Sequence, residues 1–146
     1  METSTKWDLR FLNLAKEVAS WSKDPPTQVG AIITRGKKVV SLGFNGFPSG
    51  IVDDSRLDDR PTRLGMTIHA EPNAILQAKQ DLSGCTIYVW PFMPCSDCAL
   101  LVVQSGIKRV VAPRSDNPRW ADSFTLSEEI FNEAGVFVQK MDKEIL

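Results

Sequence analysis

Two short stretches of this chain hold side chains that could bind a soft metal ion. His69-Ala70-Glu71 contains the only histidine, and Pro94-Cys95-Ser96-Asp97-Cys98 contains two of the three cysteines. A C-x-x-C pair can reach one ion from a single helical turn, and a histidine from a second helix can add a third ligand. Three protein ligands leave a tetrahedral position open, which is the pattern of catalytic rather than structural zinc. With a single histidine, and with Cys85 on the far side of an expected strand, a closed four-ligand site is hard to assemble. Glu71 stands two residues after the histidine. It could be a further ligand, or it could take a proton from an activated water and hand it on, which makes a hydrolytic site. The plainer alternatives are a structural or redox C-x-x-C and an acid that favours the first turn of a helix.

Such groups need elements to hold them. Leu9, Leu12, Val18 and Trp21 recur at roughly helical spacing, so residues 7–21 read as an amphipathic helix, broken by the two prolines of SKDPPTQ. Residues 29–34 and 38–44 are apolar runs around Arg35-Gly36-Lys37 and read as a hairpin. NGFPSG is a loop, and residues 51–66, rich in Asp and Arg, read as irregular surface structure. Residues 69–79 have helical composition, with Pro72 tolerated in the first turn. Residues 86–90 (TIYVW) are a buried strand and residues 98–104 a buried helix stopped near Gly106. A short strand at 109–112, a helix at 126–134 stopped by Gly135, and a last strand at 136–139 complete the chain. Strands alternating with helices after a hairpin predict a layered α/β domain with a mostly parallel second half. Both candidate motifs fall at helix starts, where the backbone dipole favours thiolates.

At 146 residues the chain is expected to be one domain, residues 1–146. A net charge of −1 gives no general grip on nucleic acid. An odd cysteine count with a C-x-x-C suits a reducing compartment, so the expected location is the cytoplasm. No apolar run is long enough to span a bilayer, and METSTKWDLR lacks the apolar core of a signal peptide, so no membrane partner is expected.

HAE followed by PCxxC resembles the signature of the cytidine deaminase superfamily. SKDPPTQVGAII (22–33), GFNGFPSGIVDD (43–54), HAEPNAI (69–75), LSGCTIYV (82–89), PCSDCA (94–99) and QSGIKRVV (104–111) match its pattern in order. The G-F-N-G-F-P loop narrows the resemblance to the deoxycytidylate (dCMP) deaminase branch. That resemblance implies a three-layer α/β/α cytidine-deaminase-like fold, a central five-stranded mixed sheet flanked by helices. It implies one zinc ion per subunit held by His69, Cys95 and Cys98, with Glu71 as the catalytic general acid/base. The implied reaction is hydrolytic deamination at C4 of cytosine, dCMP to dUMP, with Glu71 protonating N3 and ammonia leaving, to feed dTMP synthesis. The backbone N–H of Ala70 would read the pyrimidine edge, Asn45 would hold the sugar or phosphate, and Val29, Gly30 and Ala31 would wall the base pocket. The branch further implies a homo-oligomer, hexamer or dimer, with dCTP and dTTP as allosteric effectors.

In VWPFMP the chain is one residue longer than the family pattern, so Trp90–Met93 enters where the strand opens into the pocket, and Trp90 joins the substrate-contact candidates. Lys23 could reach a phosphate, as could Arg56, Arg60 and Arg63. Trp7, Trp21 and Trp120 read as core or interface residues rather than stacking platforms, and Cys85 as a small buried residue. Two other functions stay open. One is deamination of another base or nucleotide, such as dCTP, a modified cytosine nucleotide or adenosine in tRNA. The other is a catalytically silent subunit that binds zinc or nucleotide, against which the intact Glu71 speaks.

Overall fold

The computed structural model describes residues 5–146. Helix α1 (Thr5–Ala19) comes first. It buries Phe11, Leu12, Ala15, Val18 and Ala19, one stripe at helical period. Strands β1 (Gly30–Arg35) and β2 (Lys38–Phe44) form the expected antiparallel hairpin, turned at Gly36 with φ +61°. Helix α3 (Ala70–Ala78), strand β3 (Thr86–Trp90), helix α4 (Ser96–Gln104), strand β4 (Arg109–Pro113), helix α5 (Ala121–Ala134) and strand β5 (Phe137–Met141) follow, with α2 (Arg60–Met66) ahead of α3.

The sheet order is β2-β1-β3-β4-β5. β1 is antiparallel to β2 and β3, whereas β3, β4 and β5 are parallel. Parallel neighbours need crossover connections, and α4 and α5 supply them. Side chains alternate across each strand. Ile32, Tyr88 and Val111 pack with α1 on one face of the sheet. Ala31, Ile33, Ile87, Val89, Val110 and Ala112 pack with α3, α4 and α5 on the other. The result is the expected three-layer mixed-sheet architecture.

Two expectations are corrected. Residues 51–66 are not wholly irregular: a 3-10 turn spans Ser55–Asp58, and α2 follows, with its N-terminal Thr62 N–H taken by the Asp59 carboxylate and Pro61 in its first turn. Helix α5 starts five residues before the expected 126 because Asn117 caps a 3-10 turn at Pro118–Trp120 that runs straight into it. Its apolar stripe is weak at that end, where Asp122 and Ser123 dominate.

The sheet holds α3 closely. At Gly43 an added Cβ would stand 2.5 Å from the Ala74 amide nitrogen and 2.8 Å from the Ala70 carbonyl. Ser41 Oγ donates to the Ala74 carbonyl, and Asn73 Nδ2 donates to the Phe44 carbonyl. Gly46 and Ile68 form a two-way backbone bridge just before His69. These contacts fix the start of α3 against the end of β2.

Candidate active site

His69 and Cys95 occupy the N-cap positions of α3 and α4. Neither side chain makes a capping hydrogen bond, so both are free for other work. Cys98 sits one turn into α4. The ligand atoms of His69, Cys95 and Cys98 lie within 4.8 Å of one another. His69 Nδ1 is 3.2 Å from Cys98 Sγ and 3.7 Å from Cys95 Sγ. Donor atoms around a tetrahedral zinc stand about 3.5 Å apart, given bonds of about 2.0–2.3 Å. The donor set and its spacing therefore fit zinc.

The electrostatics favour metal binding. The Cys95 thiol is drawn down to about 4, first by a hydrogen bond with Cys98 and also by His69. Thiolate is the form that binds metal. The His69 imidazole is pushed up, chiefly by its hydrogen bond with Cys95. Glu71 is only 3% exposed, and burial pushes its carboxyl up to about 7. A buried acid that can hold or release a proton near neutrality is suited to general acid/base work.

A cavity of about 300 Å³ opens beside these groups and is bordered by His69, Ala70, Glu71 and Cys95. That volume accommodates a small ligand. Val29, Thr27 and Asn45 line a second side, as does Asp24. The Asn45 amide is engaged with backbone: Oδ1 accepts from the Val29 N–H at 2.9 Å and Nδ2 donates to the Thr27 carbonyl at 2.9 Å. It shapes the segment that walls the cavity. α2 contributes Arg60, Arg63 and Leu64, and Phe92, Arg119 and Trp120 complete the rim.

Four expected substrate contacts lie elsewhere. Trp90 and Gly30 are register partners that share the parity of Tyr88 and Ile32, so both face α1. Trp90 there lies under the Lys16 and Lys143 ammonium groups, and an added Cβ at Gly30 would stand 2.2 Å from the Ala15 carbonyl of α1. Ala31 has the opposite parity but is sealed beneath α3 with no exposed surface. Lys23 is exposed and pairs with Asp53 at 3.2 Å. Arg56 is likewise turned outward to Asp54. Trp120, expected as a core or interface residue, packs partly buried against the core and borders the cavity as well. Its one legible signal was a tryptophan in a polar stretch, RSDNPRW, with no apolar periodicity around it. Trp7 packs in a tilted pair with Phe11, Trp21 is half exposed and edge-on to Phe44, and Cys85 is buried in the core as expected.

Two thiols and an imidazole offered from helix starts, beside a buried acid in a cavity, are the equipment of a zinc-dependent hydrolytic enzyme. The family model described as the cytidine and deoxycytidylate deaminase zinc-binding region matches residues 5–113, and the chain belongs to this family. It is 46% identical over 145 residues to the "Uncharacterized deaminase in luxG 3'region" of Aliivibrio fischeri, covering 97% of this chain and 98% of that one. It is 38% identical over 156 residues to the deoxycytidylate deaminase of Homo sapiens, covering 97% of this chain and 85% of the human one. The crystal structure of dCMP deaminase from the cyanophage S-TIM5 in complex with dCMP and dUMP superposes with a TM-score of 0.77 at 21% identity, over 96% of this chain and 100% of that one. At that identity the likeness is one of fold.

Proposed function

We propose that this chain deaminates dCMP hydrolytically to dUMP and ammonia, with residues 1–146 acting as one deaminase domain. The observation that carries the chemistry is that Glu71 borders the same cavity as His69 and Cys95, whose ligand atoms cluster with that of Cys98. The nucleotide comes from the relatives: the human protein is named deoxycytidylate deaminase, and the phage structure holds dCMP and dUMP. His69, Cys95 and Cys98 would hold the zinc, which when bound supplies the activation that makes water nucleophilic near neutral pH. Attack at C4 of cytosine pushes charge onto N3. Glu71, able to carry a proton near neutrality, takes one from the attacking water and gives it to N3. It then takes the second from the new C4 hydroxyl and gives it to the amino group, so that the C4–N bond breaks, ammonia leaves and a C4 carbonyl remains. Ala70 stands at the start of α3 beside the cavity, where its backbone N–H can meet the pyrimidine edge.

A nucleotide fits the rim better than a nucleoside. Arg63 is committed to Asp24 and to the Leu57 carbonyl, but Arg60 and Arg119 face the cavity with no acidic partner among the described residues. Guanidinium groups so placed suit a phosphate. Deamination of another base and a silent binding subunit are not favoured, since the relatives are named for dCMP and the acid is in place. No helix among the described residues is long and apolar enough to cross a membrane. Exposed Leu76 on α3 and Leu100 and Leu101 on α4 support association into a homo-oligomer. Control by dCTP and dTTP and a cytoplasmic location complete the reading.

The test is turnover of dCMP, CMP, deoxycytidine, dCTP and an adenosine-bearing tRNA arm by the zinc-loaded protein, with Glu71→Gln in parallel. dUMP should form fastest. The variant should keep its zinc and lose about 10²–10⁴-fold in kcat, and chelation should stop the wild type until zinc is restored. Turnover of another substrate with dCMP untouched would sink the substrate assignment, and an active Glu71→Gln the role of the acid.

A further inference from the structure

We propose that Ser123 and Ser127 of α5 are positioning residues for Cys95: together they hold the two peptide groups that flank it and so fix where its thiolate points. This rests on the reading of His69, Cys95 and Cys98 as zinc ligands. The Ser96 N–H donates to Ser123 Oγ at 3.0 Å, and Ser127 Oγ donates to the Pro94 carbonyl at 2.9 Å. The Pro94 carbonyl belongs to the peptide group before Cys95, and the Ser96 N–H to the one after it. Only φ and ψ of Cys95 lie between the two, because peptide groups are planar. With both planes held from α5, the Cα–Cβ direction of Cys95 is set at φ −67° and ψ 171°.

The metal site needs this support at Cys95 more than at Cys98. Cys98 is buried inside α4, so its place follows from the helix. Cys95 stands at the N-cap, where the backbone is extended and helices fray. An N-cap side chain ordinarily takes a free N–H of its helix's first turn. The Cys95 thiol takes none, and the Ser123 hydroxyl of the neighbouring helix bonds the first of these N–H groups instead. Cys95 is thereby released to bind metal. Ser127 is fully buried, on the face of α5 that also buries Phe124 and Phe131. A hydroxyl there costs stability unless it is bonded, and the Pro94 carbonyl is its partner. Both serines lie beyond residues 5–113, the stretch matched by the family model, and only the fold links them to Cys95.

The experiment measures the zinc dissociation constant by competition with a chromophoric chelator, and the absorption spectrum of the cobalt(II)-substituted protein. It compares the wild type with Ser123→Ala, Ser123→Thr, Ser127→Ala and Ser105→Ala. Ser105 Oγ donates to the Val102 carbonyl at the far end of α4, so its loss reports general loosening of that helix. Zinc Kd should rise about 10- to 100-fold in Ser123→Ala and Ser127→Ala, the scale for a group that orients a metal ligand. Their cobalt ligand-field bands should shift, Ser123→Thr should restore both readings, and Ser105→Ala should match the wild type. Unchanged Kd and spectra in the two alanine variants overturn the proposal, as does an equal change in Ser105→Ala. If Ser127→Ala does not fold, the half-buried Ser123 with its threonine rescue decides alone. A wild type that takes up no zinc would remove the ligand reading itself, and the role of the serines with it.

Discussion

Asn45 shows how one residue can be singled out by sequence and given its physical work by structure. Its place in the G-F-N-G-F-P loop marks it as a substrate contact, and it does border the cavity. Both ends of its amide, however, bond to the backbone at residues 27 and 29. Asn45→Asp should replace the donor to the Thr27 carbonyl with a carboxylate oxygen facing another oxygen. A lost buried hydrogen bond costs about 1–3 kcal/mol, so the melting temperature should fall by several degrees, and KM should rise as the Val29 wall loosens. An Asn45→Asp protein of unchanged melting temperature but raised KM would instead assign the side chain to the substrate. Glu71 was legible because a histidine, an acid and a C-x-x-C define a chemistry by residue type alone. Trp90 was not, because proximity along the chain to Cys95 says nothing about which face of the sheet a strand residue takes.

At the scale of elements, the hairpin, β3, α3 and α4 were readable from period and punctuation, and their ends moved by a residue or two. α2 was missed because seven residues with a glycine and a proline carry no apolar stripe. Arg60 and Arg63 stand among the phosphate candidates of the sequence, but only the helix sets them with Leu64 on the cavity while Arg56 pairs with Asp54 outside it. The seating of α3 on β2 makes a sharper prediction. Gly43→Ala puts a Cβ 2.5 Å from helix backbone, which cannot move like a flexible side chain. The helix must shift, at a cost on the order of 1–3 kcal/mol. Thermal melting should report that loss, and zinc affinity should drop with it because His69 rides on the same helix. Equal stability and zinc affinity in Gly43→Ala would show that α3 is not held there.

Across the whole molecule, one buried polar network joins α1 to the sheet. Tyr88 donates to Asp8 Oδ1 at 2.9 Å, and Arg109 reaches both Asp8 oxygens, at 2.7 and 3.1 Å. Asp8 and Tyr88 are 1% and 3% exposed, so neither can be rehydrated without lifting α1. The Tyr88 hydroxyl is pushed up to about 12 by burial and by its bond to Asp8. An acid whose folded value lies above its unfolded value of about 10 binds more protons in the fold than in the open chain. Its contribution is therefore complete below pH 10 and is lost as pH rises from 10 towards 12. Unfolding by denaturant should show stability declining over that interval, and Tyr88→Phe should flatten the decline while lowering stability at neutral pH. An identical alkaline slope in Tyr88→Phe would assign the loss to other groups.

The sequence by itself determined the ligand types, the acid beside them, the alternation of strands and helices, and hence the layered α/β class. Those properties are local: residue chemistry, spacing within a turn and apolar period are complete within a few consecutive positions. Only the tertiary structure decided which side chains share the cavity. Strand register and parity sent Gly30 and Trp90 to the α1 face and Val29 to the other. The bonds from Ser123 and Ser127 to the Cys95 loop brought Trp120 to the metal site, and the docking of α2 brought Arg60. Each depends on pairings between residues far apart in the chain, made where packing allows, and such pairings leave no mark in any short stretch of sequence.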